Sequence, residues 1–181
     1  MAMSVEELQA WLTGRIGDIT GFMDYESADY GEEGLADTLD SWFDTPRWRG
    51  PGHRFHHLGI DGTGSQVAAW VRAGSAADEP APVVFFGSEG ELSVLARRPL
   101  DWAFLLAHAP ALWDMSAPML SLREDEDERS KAALASYREG VENTFGAIPT
   151  FESLRDGVAP LDAELLAWVD GVLWIERVLN G

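Results

Sequence analysis

The spacing of apolar and polar residues changes along this chain, and each change marks an element. Val5, Leu8, Trp11, Leu12, Ile16 and Ile19 recur at helical spacing. Ser4 precedes them and Glu7 follows three residues later, a capping-box pattern whose hydroxyl and carboxylate satisfy the first free amides of a helix. Gly14 and Gly17 weaken the second half, so this helix is expected to end early. Leu35, Leu39, Trp42 and Phe43 predict a short helix over 34–43, and the rest of 24–44 reads as loop. Residues 45–52, with two prolines and two glycines, then break the chain.

A strand pattern follows. Arg54 to Ile60 and Ser65 to Arg72 read as two strands of a hairpin turning at Asp61-Gly62-Thr63-Gly64. After a loop over 73–82 come strands at Val83–Phe86 and Glu91–Ala96, joined by Gly87-Ser88-Glu89-Gly90. Short strands linked by tight turns predict an antiparallel meander. Beyond Pro99 the period is helical again. Leu100, Phe104 and Leu105 share a face up to residue 109, and a charged helix is expected over 124–143 with Leu134, Tyr137 and Val141 inward. On that helix Asp125–Arg129 and Asp127–Lys131 form exposed pairs four residues apart. A linker with Pro149 leads to a last helix over 161–179, apolar on more than one face and so buried under other elements or against a partner subunit. The expected fold is α+β in one domain, 1–181. A central, mainly antiparallel sheet of four to six strands (53–98) lies between a helical, acidic N-terminal part (1–52) and a helical C-terminal part (99–181).

Composition sharpens this picture. Of 181 residues, 46% are hydrophobic, with eight Trp and eight Phe, which is too apolar for a disordered chain. No Cys is present, so disulfides, thiolate metal sites and thiol nucleophiles are excluded. The N-terminal residues lack the basic and apolar run of a signal peptide, and no apolar segment is long enough to span a bilayer, so a cytoplasmic location is expected. The 31 Asp and Glu against 13 Lys and Arg give a net charge of −18, which repels nucleic acid and anionic membrane and attracts cationic partners. Eight acids (Asp24, Glu26, Asp29, Glu32, Glu33, Asp37, Asp40 and Asp44) fall in 24–44 without one Lys or Arg, interleaved with Tyr25, Tyr30, Trp42 and Phe43. Such a stretch reads either as a solvated face or as a surface on which carboxylates steer a basic partner and aromatic rings supply contact area.

Catalytic patterns are scarce. His53, His56 and His57 form the one metal-like cluster, but on a strand His56 and His57 point to opposite faces. Leu58–Ser65 (LGIDGTGS) superficially resembles the phosphate-gripping hairpin of sugar kinases and actin-like ATPases. The chain is much shorter than those proteins and has no second phosphate loop, so Gly62 and Gly64 are read as turn residues. Neither GxSxG nor a P-loop occurs, and no cofactor is expected.

The order of pieces from Leu58 to Leu106 resembles the SUKH superfamily, the group of the yeast cell-wall-synthesis regulator and many bacterial immunity proteins. Leu58 to Trp70 (LGIDGTGSQVAAW) is similar to that family's glycine-containing hairpin, and Pro82 to Gly90 (PVVFFGSEG) to its next strand and turn. Val94-Leu95-Ala96 followed by Leu100 to Leu106 (LDWAFLL) is similar to its strand leading into a helix. The early "LP.dy..fl...nG" element of the family has no counterpart here. The resemblance implies an α+β fold with a largely antiparallel sheet flanked by helices. It also implies a non-enzymatic role, most often neutralisation of a secreted nuclease or deaminase toxin by direct binding, without shared catalytic residues.

The expected function is therefore a binding protein of immunity or antitoxin type, occluding a basic toxin domain. Asp24, Tyr25, Asp29, Tyr30, Glu32, Glu33, Asp37, Asp61, Glu89 and Glu91 are the candidate contacts. Neither nucleic acid nor membrane is an expected partner, and the chain is expected to be a monomer or homodimer. Two alternatives stand beside it: a small hydrolase or metal-dependent enzyme using His53, His56 and His57, and a regulatory or scaffolding subunit dimerising through its final helix.

Overall fold

The central strands carry apolar residues on both faces, a pattern that calls for cover on two sides rather than one. The computed structural model shows that cover. It describes residues 3–15, 17, 25–27, 31–50, 52–76, 79–108 and 128–180, apart from the side chains of 31, 32 and 174–180. Strands β1 (Tyr25–Glu26), β2 (Arg54–Asp61), β3 (Gln66–Val71), β4 (Val83–Phe86) and β5 (Leu92–Ala96) form one antiparallel sheet in chain order. The meander is as expected, with one strand more than the sequence pattern marks.

Helices α1 (Val5–Thr13), α3 (Pro99–Leu106), α4 (Glu128–Phe145) and α5 (Phe151–Arg155) cover one face. Leu8, Leu12, Trp102, Leu105, Tyr137 and Val141 there pack on Val67, Ala69, Val83 and Phe85. Helices α2 (Gly31–Phe43) and α6 (Val158–Asn180), with a 3-10 turn at Pro46–Arg49, cover the other. Their Leu35, Leu39, Phe43, Trp48, Leu165 and Val169 pack on Ala68, Trp70, Val84 and Phe86. Alternate residues of β3 and β4 thus serve two separate cores.

Several elements depart from the local pattern. Residues 25–26, expected as loop, pair with Asp61 and Ile60 as β1, and α2 begins at residue 31 rather than 34. Helix α1 carries its capping box and stops at Gly14. Every residue of α3 is buried, so Leu100, Phe104 and Leu105 do not mark a single inward face. In α4, Tyr137 and Val141 are inward as expected, and the visible ion pair is Lys131 with Glu128 at 3.2 Å; Asp125 and Asp127 lie outside the described residues. The linker around Pro149 contains α5, capped by Thr150, and α6 starts three residues early. Among the described residues no helix is long and apolar enough to cross a membrane.

Candidate functional site

Helix α2 has two sides with different chemistry. Leu35, Leu39 and Phe43, four residues apart, enter the core, and each such burial is worth roughly 1.5–3 kcal/mol of transfer free energy. Trp42 is half-buried and donates its indole N–H to the carbonyl of Gly87 at 2.9 Å, tying the helix to the β4–β5 turn. The core contacts leave Glu33, Asp37 and Ser41 as an exposed row, with 86% of the Asp37 side chain open. These acids stand on a helix held from beneath.

The stretch is basic-free in sequence but not in space. The 3-10 turn brings Arg49 back onto α2, where its Nε and Nη2 donate to the two oxygens of Asp40 at 2.9 and 2.6 Å. Trp48 adds an indole bond to Asp40 at 2.8 Å, and Arg49 lies 3.7 Å from Asp37. The Arg49 hydrogen bonds hold the Asp40 carboxyl below its usual range. Asp40 is thereby engaged internally, and Glu33 and Asp37 remain outward. The fork depends on the turn at Pro46, so no helical or strand period in the sequence announces it.

Two of the expected contacts are corrected. Tyr25 is fully buried; its hydroxyl donates to the Leu58 carbonyl at 3.0 Å, its ring meets Trp102 edge-on, and burial pushes its phenol pKa up. Asp61 is 5% exposed, and one of its oxygens accepts from Thr63 N, Thr63 Oγ1 and Ser65 N at 2.9, 2.6 and 2.9 Å. It shapes its own turn and offers no surface. Of the other turn acids, Glu89 is exposed, whereas Glu91 is half-buried and accepts the Glu89 amide at 3.2 Å. Ser88 N donates to Ser65 Oγ at 3.1 Å, joining the two hairpin tips. Asp24, Asp29, Tyr30 and the side chain of Glu32 lie outside the described residues.

The three histidines enter three environments. His53 is stacked on Trp70 and Trp168, with ring centroids at 5.7 and 4.9 Å, and its Nδ1 accepts from Trp70 Nε1 at 3.0 Å. Burial lowers its pKa. His56 and His57 pair with Ala69 and Ala68, which belong to opposite cores, so they occupy opposite faces as the strand period predicts. His56 lines a cleft of about 610 Å³ between the start of α1, Arg54 and the β5–α3 junction. There Glu6 is held low first by a backbone hydrogen bond, then by the Ser4 hydroxyl and the charge of His56. Among the described residues no group of three or more His, Asp or Glu is placed to hold a metal ion. In comparisons with known proteins, no family model, curated protein or solved structure matches this chain.

Proposed function

We propose that this chain is a non-enzymatic protein-binding domain of the immunity or antitoxin type, occluding a basic toxin domain from the cytoplasm. The observation that supports it best is the exposed Glu33–Asp37 row on a helix whose opposite side is locked into the core. Charges on a rigid support meet a cationic partner with little ordering cost, and in a chain of net charge −18 they steer its approach. Trp42 links this helix to the turn bearing Glu89, which extends the acidic surface toward the hairpin tips. A hydrolase reading would start from His56 and Glu6 in the cleft; the divergence of the three histidines gives it less support.

The test is to look for a toxin gene beside the gene for this chain and to measure association kinetics with the toxin domain it encodes. Glu33→Gln with Asp37→Asn should slow association roughly 3- to 10-fold at low salt and much less at high salt, leaving dissociation nearly unchanged. An on-rate indifferent to salt and to both substitutions removes the electrostatic reading. A gene neighbourhood without a toxin counts against the immunity class itself.

A further inference from the structure

Among the described residues the sheet ends at β5, which has a neighbour only on its β4 side. A strand in that position leaves a row of amides and carbonyls able to pair with another chain, and proteins commonly blunt such a row with charges, prolines or bulges in the strand. The β5 residues, Leu-Ser-Val-Leu-Ala, include neither a charge nor a proline, and the strand's own irregularity is a register shift at Leu95, opposite Val83 and Val84. Further protection arrives from elsewhere in the chain. Asp162 of α6 accepts the Val94 amide at 2.7 Å, and Arg155 of α5 donates Nη1 to the carbonyls of Val94 and Leu95 at 3.0 and 2.6 Å. A carboxylate on an N–H and a guanidinium on the adjacent C=O groups supply the acceptor and donors that a sixth strand would bring.

We infer that Arg155 and Asp162 are a latch that closes the β5 edge, and that an unlatched edge pairs with β5 of a second copy of this chain. A second copy fits because antiparallel pairing of a strand with itself about a two-fold axis is self-complementary. The neutral sequence of β5 also places no like charges opposite each other, whereas the rest of this −18 molecule resists close approach. The inference is independent of the proposed toxin partner, because the latch joins α5 and α6 to β5 and does not involve α2.

The experiment compares wild type with Arg155→Ala/Asp162→Ala by sedimentation and amide exchange at physiological salt. The double variant should have twice the wild-type mass at micromolar concentration, with a Val94 amide whose protection rises with concentration. Adding Leu92→Lys, which places a cation within the paired strand of each copy, should return it to wild-type mass. Wild-type mass combined with a freely exchanging Val94 amide at every concentration overturns the inference, and so does a dimer indifferent to Leu92→Lys. Should the double variant fail to fold, Asp162→Ala and Asp162→Asn replace it. Asparagine keeps an acceptor for Val94, so only the alanine variant should associate; identical behaviour of the two overturns the latch.

Discussion

Trp70 donates its indole N–H to Nδ1 of His53, so the neutral imidazole must carry its proton on Nε2. A second proton on Nδ1 would set one N–H against another. Burial already disfavours the charged ring, with Glu164 the opposing influence and Arg72, bonded to Glu164 at 3.1 Å, tempering it. The folded pKa thus lies below the ordinary value of about 6.5, and the unfolded chain binds the proton more readily. Stability is full above the unfolded pKa and is lost as pH falls from there through the folded value. A melting temperature that declines below about pH 6.5 in wild type and less steeply in His53→Gln, alongside a matching change in Trp fluorescence, is the expected result. Parallel declines in the two proteins would remove His53 from the account.

At the scale of elements, the least legible piece is β1. Its two residues reach β2 because Gly59 has no side chain: a Cβ there would collide with the Tyr25 ring and the Glu26 carbonyl. The same crossing lets the Tyr25 hydroxyl bond the Leu58 carbonyl beside the irregularity between His57 and Gly59. Gly59→Ala should therefore cost about 1–3 kcal/mol in denaturant unfolding, by displacing a fully buried tyrosine. A loss below about 0.5 kcal/mol, within the range of a neutral surface change, would mean that β1 contributes little to the fold. Helix α2 shows the converse: its apolar spacing is plain in the sequence, yet its length is not, because residues 31–33 contribute no apolar anchor.

The whole molecule carries 18 more negative than positive charges, and its visible cations are largely committed at short range. Arg49 is bonded to Asp40, Arg98 and Arg97 flank the buried Asp101 at 2.7 and 3.4 Å, and Arg72 meets Glu79 and Glu164. What remains is diffuse repulsion among exposed carboxylates, which salt screens over roughly 8–10 Å at physiological strength. Raising salt from about 0.01 to 0.15 M should raise stability on the order of 1 kcal/mol, or roughly 2–4 °C in melting temperature. A fall in melting temperature would show that the short-range pairs outweigh the repulsion.

The sequence by itself determined what depends on neighbours within a few residues. The capping box of Ser4 and Glu7, the hairpin turn at Asp61–Gly64, the opposite faces of His56 and His57 and the buried spacing of Leu35, Leu39 and Phe43 follow from period and turn chemistry. Tertiary structure decided what depends on distant segments meeting. Packing turned Tyr25 from a candidate contact into core and Asp61 into a turn brace, and it returned Arg49 to a stretch without basic residues. It also aligned Arg155 and Asp162 with an edge some 60 residues earlier in the chain. No local period encodes these meetings, because each depends on two cores fixing separate helices on opposite faces of one sheet. Charge order along the chain marks α2 as acidic; the fold selects which of its carboxylates still face outward.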